Sequence, residues 1–460
     1  MIVRPSAQRP TSRMRIPPLA CLFLVSSAPS VRTVLTLPSA PVVPMAQVGE
    51  RAPVQSEVSL QTRVVAHDID PVSKTAQKKL RAFPEVGKGE FYDVVRMVED
   101  GDGNLHVVFI EDHVEIGRDY LGNRQRWSST IYHLERIHGV WTQPRRIYHN
   151  ALLCITGLQL LINRKGTLVL VMWGYNNGIV TTEGGCPPGH YQVLVTWSSG
   201  ATWAPPFPAT GVDAKLLHDC DACYDAEDRL HLAWAPWPYT QRSESIHHRV
   251  LLEHGWGREE LLPAENICNC TNPVVRRWDD GLHIFCLGQT FDSSKINLFE
   301  RKLGDARSPW VRLLSSSDFC YEVATASPVV CVASEGATRW DVDFRFATVS
   351  DSGEVHWWTE PVLCQPLTDT TGAAMASAGT SEWVLLGSQQ GRMTLFLVRG
   401  GELEGSHDLS PSGSGSPRPR CPQIVIDGSR FVALWAGGDH RDTLYSVCGD
   451  LSILRNGLAK

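Results

Sequence analysis

One short pattern recurs along this chain from about residue 90. A glycine or acidic turn leads into a strand-like apolar run. It reads Gly103-Asn104-Leu105-His106-Val107-Val108-Phe109, then Gly166-Thr167-Leu168-Val169-Leu170, Asp228-Arg229-Leu230-His231-Leu232-Ala233-Trp234 and Gly281-Leu282-His283-Ile284-Phe285. Weaker copies are Glu382-Trp383-Val384-Leu385-Leu386 and Gly428-Ser429-Arg430-Phe431-Val432-Ala433-Leu434-Trp435, and residues 328–332 fill the slot before them. A second mark runs in phase with the first: Trp141-Thr142-Gln143-Pro144, Trp203-Ala204-Pro205, Trp256, Trp310 and Trp358-Thr359-Glu360-Pro361, with copies lacking Trp near Leu403 and Leu451. Repeats of this length, each with several short strands and tight turns, predict the blades of a β-propeller. The expected fold is therefore all-β, a propeller of four-stranded blades over 89–460, with seven blades favoured over six. A β-sandwich offers similar strands but does not repeat a sequence unit.

The physics of the repeat agrees. A lone blade cannot bury both faces, whereas blades stacked around an axis cover each other. Tryptophan at the start of each outer strand fills the wedge where neighbouring blades diverge. His106, His231 and His283 recur at one repeat position, which assigns them to blade packing and not to three separate catalytic groups.

Composition narrows the class further. Of 460 residues, 43% are hydrophobic and 20% charged, which fits a globular chain. The net charge of −6 argues against nucleic acid as a partner, since that needs a basic face. No apolar run reaches the roughly 18 residues of a membrane helix. Residues 1–55 stand apart: nine prolines lie between Pro5 and Pro53, and Arg4, Arg9, Arg13 and Arg15 precede an apolar run at 19–25. The leader reads either as an export signal, which would place the protein outside the cytoplasm in a secreted or periplasmic form, or as a disordered Pro-rich segment. Residues 56–88 read as a linker with a short helix, capped by Asp70, with Pro71 at the first helical position and mostly good helix formers over 74–82.

One turn carries a family resemblance. Thr196-Trp197-Ser198-Ser199-Gly200-Ala201-Thr202-Trp203 resembles an Asp box, Ser/Thr-x-Asp-x-Gly-x-Thr-Trp, with Ser198 in the place of the aspartate. Asp351-Ser352-Gly353 ahead of Trp357-Trp358 is a distorted second copy. With the blade pattern, the chain looks like a sialidase-like, Asp-box propeller. That resemblance implies glycans or glycoconjugates as partners and no cofactor. It also implies an Asp-box turn between strands three and four, away from the site. Sialidases use three arginines, an acidic proton donor and a Tyr–Glu pair. The one Arg-Ile-Pro match, Arg15-Ile16-Pro17, lies in the leader.

Blade connectivity sorts the loops. Turns between strands one and two lie on the lower face, so Asp100, Asp102, Asp225, Asp279 and Asp280 are expected to hold turns through side-chain-to-backbone bonds. Loops after strand two converge on the upper face. There Asp112, Asp292, Asp341 and Asp439 are candidate acids. His113, Tyr175, Asn176, Trp237, Arg339, Trp340, His440 and Arg441 are candidate ligand-binding groups. Flat rings stack on sugar faces while planar polar groups bind hydroxyls, and arginines grip a carboxylate through paired hydrogen bonds. Two functions stay open: a glycosidase, and a non-catalytic lectin or protein platform on the same face. Two carboxyls within about 5 to 10 Å of each other would favour the enzyme. An aromatic rim without converging charges would favour the binder.

Cysteines follow the repeat as well. Cys154, Cys220, Cys270, Cys320 and Cys421 fall near the start of inner strands. Small buried thiols suit a crowded inner strand. Disulfides between blades, or a metal site from Cys220, Cys223, Cys268 and Cys270, are the sharper alternatives. Metal is not the favoured one, because Cys-x-Cys is an atypical half-site.

Overall fold

The structure is a computed structural model. It describes residues 75–80 and 94–456 apart from short connecting stretches, the longer of which are 211–216, 237–244, 291–295, 314–319, 336–340, 350–354, 358–362, 367–372, 411–419 and 438–442. The described strands form seven antiparallel sheets. Blade 1 runs outward through Val95–Glu99, Leu105–Ile116, Gln125–Ile137 and Val140–Trp141. The inner strands of blades 2 to 7 are Leu153–Ile162, Leu217–Tyr224, Ile267–Trp278, Cys320–Ala326, Ala373–Ser377 and Arg420–Asp427. Each packs beside the next, and the last returns to Val95–Glu99, which closes the ring. The fold is an all-β propeller.

Stacking explains why the second strands carry apolar residues on both faces in mid-strand rather than alternating, as in Val107-Val108-Phe109-Ile110. In blade 1, Val107 and Phe109 pack towards blade 7 with Leu434 and Leu444. Val108 and Ile110 point the other way, onto Leu153 and Leu170 of blade 2. With both faces covered, a polar residue on either would lose its hydration. The outer tryptophans fill the wedges as expected: Trp141 joins the cluster shared with blade 7, Trp256 the one shared with blade 2, and Trp310 the one shared with blade 3.

The lower turns are built by carboxylate and amide caps. Asp100 Oδ1 accepts from the backbone N–H of Asp102 at 2.9 Å and of Asn104 at 2.8 Å. Gly103 takes φ of 76°, where a side chain is disfavoured. Asn163 in blade 2 and Asp225 in blade 3 repeat the arrangement. Asp280 departs from it: its carboxylate bonds the side chains of His283 and Lys302.

Where a helix was expected, the described residues 75–80 are extended. Residues Thr75–Leu80 are a strand, paired antiparallel with Thr443–Asp450 from Thr75↔Gly449 to Leu80↔Leu444. The last blade thus takes its outer strand from the N-terminal side of the chain. Without it, the edge of Thr443–Asp450 would present a row of unpaired N–H and C=O groups. That demand from a distant edge outweighs the weak local preference for helix. A five-residue helix, Ser452–Asn456, follows the last strand and packs on blade 6 through Leu451 and Leu454.

Candidate functional site

The upper face of blades 1 and 2 is the best described part of the loop-bearing side. The second and third strands of blade 1 extend well past its inner strand, from Leu105↔Arg136 up to Ile116↔Gln125. Beside this hairpin lies the blade 2 loop 177–190. Asn177 Nδ2 donates to the Trp127 carbonyl at 3.1 Å and holds the two side by side. Apolar side chains face water on both: Leu121 is 70% exposed, Trp127 38%, Ile179 59% and Val180 54%. On blade 2, Tyr175 and Tyr191, a cross-strand pair, stand half-buried with ring centroids 5.3 Å apart and tilted by 42°. Trp173, two residues before Tyr175, is buried across Gly157, where a Cβ would come within 2.1 Å of its ring.

The polar groups here serve the scaffold. Asn176, expected to bind ligand, is fully buried. Its Nδ2 donates to the carbonyls of Val180 and Cys186 at 2.8 and 2.7 Å, and its Oδ1 accepts from the Gly178 N–H at 2.8 Å. A long loop needs an internal scaffold, and the amide supplies it. Asp112 accepts from Ser129 Oγ at 2.6 Å, and that same Oγ accepts from the Ile155 N–H of blade 2 at 2.8 Å. The carboxylate is therefore tied into the junction of blades 1 and 2. His113 lies on the same strand.

Glu111, which the sequence did not single out, is the more unusual group. Burial pushes its carboxyl up to about 7, helped by the neighbouring Asp112 and opposed by a hydrogen bond from Tyr132. The Tyr132 hydroxyl is itself raised by burial and by the Glu111 charge. Only the three-dimensional surroundings carry this signal, because a glutamate next to an aspartate in sequence reads as a solvated pair.

Other expected site residues are placed in part or not at all. Asp341 begins the third strand of blade 5. Asp292, Trp237, Arg339, Trp340, Asp439, His440 and Arg441 lie outside the described residues. Cys220 packs between blades 2 and 3, while Cys223 and Cys270 pack between blades 3 and 4. Cys223 and Cys270 are free thiols. Cys268 lies on the inner strand of blade 4. Cys220 and Cys270 thus belong to different interfaces, because successive residues of a strand face opposite blades.

On the lower rim, the recurring histidines form side-chain relays. In blade 3, His231 Nε2 lies 3.0 Å from Asp225 Oδ2, His231 Nδ1 lies 3.0 Å from His248 Nε2, and His248 Nδ1 lies 3.3 Å from Glu260 Oε2. In blade 4, His283 bridges Asp280 at 2.8 Å and Glu300 at 2.7 Å. In blade 1, His106 joins Asp100 at 3.2 Å and His133 at 3.3 Å. The packing role read from recurrence therefore takes the form of a hydrogen-bonded strut from the lower turn to strand three.

Fold and site together define a β-propeller with an apolar, aromatic upper rim over blades 1 and 2 and polar struts along its lower rim. No protein-family model matches the chain, and no curated protein does. Among solved structures it is similar to the polysaccharide lyase Uly1, with 12% identity over 80% of this chain and 94% of that one and a TM-score of 0.47. It is also similar to an α-L-arabinanase of Penicillium chrysogenum, with 14% identity over 82% and 99% of the two chains and a TM-score of 0.44. A Trypanosoma rangeli sialidase is matched at 10% identity over 83% of this chain and 57% of that one, with a TM-score of 0.44. Identities this low concern the course of the chain alone.

Proposed function

We propose that this protein is a glycan-binding propeller, sialidase-like and of the Asp-box type, that acts outside the cytoplasm through the upper rim of blades 1 and 2. The observation that carries the reading is that this rim holds an exposed Trp127 on the blade 1 hairpin and a half-buried Tyr175–Tyr191 pair on blade 2, the two elements joined through Asn177. Flat rings of this kind stack on the apolar faces of sugars. Among the described residues, Asp112 and Asn176 are committed to the scaffold, which leaves the rings as the rim's exposed recognition groups. The Asp-box reading is supported by the position of Ser198 and Trp203 on the turn between strands three and four of blade 2. Export is supported by the basic and apolar leader.

A glycan array probed with wild-type protein and with Trp127→Ala tests this. Loss of one stacking ring is expected to weaken binding roughly tenfold, about 1.4 kcal/mol, with the fold unchanged. Binding that Trp127→Ala leaves intact would move the site away from this rim. A second reading, hydrolysis, is favoured by Glu111, whose carboxyl near 7 suits a proton donor at neutral pH. A panel of fluorogenic glycosides decides it: turnover that disappears in Glu111→Gln would establish an enzyme.

A further inference from the structure

The lower rim of blade 1 holds a side-chain set that the glycan surface does not use. Strand three carries His133 and Glu135 two residues apart, so both point to the same face, towards blade 2. Strand two carries His106 directly opposite Glu135. His106 Nδ1 lies 3.3 Å from His133 Nε2 and 3.5 Å from Glu135 Oε1, and one ligand atom from each of the three residues lies within 4.8 Å of the other two.

We propose that His106 Nδ1, His133 Nε2 and Glu135 Oε1 form a binding site for one zinc-class divalent cation. A tetrahedral zinc centre has bonds of about 2.0 to 2.1 Å, and so ligand-to-ligand edges of about 3.3 Å. Two of the three edges already have nearly that length. The third closes by rotation of Glu135, which is only partly buried. The donor set of two imidazoles and a carboxylate leaves a fourth position for water, as in open zinc sites.

The surroundings prepare the ligands. His106 Nε2 is 3.2 Å from Asp100 Oδ2, which favours the tautomer with the proton on Nε2 and the lone pair of Nδ1 facing the site. Asp100 is in turn fixed by the Asp102 and Asn104 N–H groups and by Asn104 Nδ2 at 3.1 Å. His133 is buried, stacked on His106 at 5.4 Å and met edge-on by Trp203 of blade 2 at 5.5 Å. The Arg145 guanidinium approaches His133 Nδ1 at 3.4 Å. Arg145 is exposed, so turning it into water costs little.

The other relays lack this convergence. In blade 3, Val250 stands where blade 1 has Glu135, and Glu260 reaches the far nitrogen of His248. In blade 4, Glu300 replaces His133 and Lys302 replaces Glu135, which puts a cation where a ligand would be. The His-x-Glu spacing on strand three, opposite a strand-two histidine, is what sets blade 1 apart.

The experiment titrates full-length protein, stripped with EDTA, with Co²⁺ followed by its visible d–d bands and with Zn²⁺ followed by calorimetry. Wild type is expected to bind one ion per chain with a tetrahedral Co²⁺ spectrum. Glu135→Gln and His133→Gln should lower affinity at least tenfold, and Asp100→Asn about 10- to 100-fold. His231→Gln in blade 3 should change nothing. Circular dichroism checks each fold. Should His133→Gln not fold, Glu135→Gln, at a partly exposed position, carries the test. Folded wild type that takes up no stoichiometric Zn²⁺ overturns the proposal. Equal affinity in Glu135→Gln, or equal loss in His231→Gln, overturns it too.

Discussion

In blade 3 the strand-two histidine, His231, faces a second histidine, and in blade 4 the equivalent His283 faces Glu300. The strand-two slot is the same, and each histidine meets a lower carboxylate, the turn-capping Asp225 in one blade and Asp280, three residues before its histidine, in the other. Strand three offers His248 and Val250 in one blade and Glu300 and Lys302 in the other, and the imidazoles shift in opposite directions. His248 is held down to about 4 by burial and by the neighbouring His231, against the pull of Glu260. Burial lowers His231 as well, against Asp225. In blade 4 burial again disfavours the cation, but Glu300 and Asp280 outweigh it and raise His283. A repeat thus preserves a connection from turn to strand while the strand-three partners decide the direction in which the imidazole shifts.

Removing the strand-three partner should separate the two most strongly. Glu300→Gln leaves a buried imidazole that has lost one of its two carboxylates, and about 3 kcal/mol of stability should go with it. His248→Gln breaks the link to His231 and the longer contact to the half-exposed Glu260, and should cost about 1 kcal/mol. Urea unfolding reads both, as a lower midpoint at unchanged slope. Equal losses would mean that the charge difference has no energetic weight.

The pH dependence should have opposite signs. His283 has a raised folded value, so its stabilisation is present below the unfolded value of about 6.5 and is lost as pH rises through the folded one. His283→Gln should therefore be more damaging at about pH 5.5 than at about pH 9. His248 has a depressed value, so its contribution is present above about 6.5 and is lost as pH falls towards 4. His248→Gln should flatten the acid side of the stability profile. A profile that both variants change on the same side would break the comparison.

The smallest effects belong to the turns. Asp100 holds two backbone N–H groups and His106, and Asp100→Ala should cost about 1 kcal/mol. Asp102, exposed on the same turn, should be worth less than about 0.5 kcal/mol when changed to alanine. Thermal melts of the two variants at neutral pH distinguish them.

Much of this architecture was readable from the chain because its signals are local. A glycine such as Gly103 at positive φ, a capping carboxylate such as Asp100, and the run Val107-Val108-Phe109 act within a few residues of one another. The strand-two histidines were visible as a recurrence, but their partners were not. His133, His248 and Glu300 meet them only through the register of strand three, and register depends on pairing across a hairpin. On the upper face, Asn176 reads from sequence like a ligand group, yet the fold spends its amide on a loop. Glu111 shows the reverse: an ordinary glutamate in sequence acquires a shifted carboxyl from burial.

The sequence by itself determined the blade, since turn chemistry, apolar runs and wedge tryptophans are all encoded within one repeat. Tertiary structure alone decided how the last blade is completed and what the conserved slots do. The edge at Thr443–Asp450 requires a partner because its backbone groups would otherwise lack hydrogen bonds. Residues Thr75–Leu80 meet that requirement through their backbone, so their own sequence carries little trace of it. The same reason holds for the struts and for the proposed cation site: their geometry is set between strands, where no single stretch of sequence contains both sides.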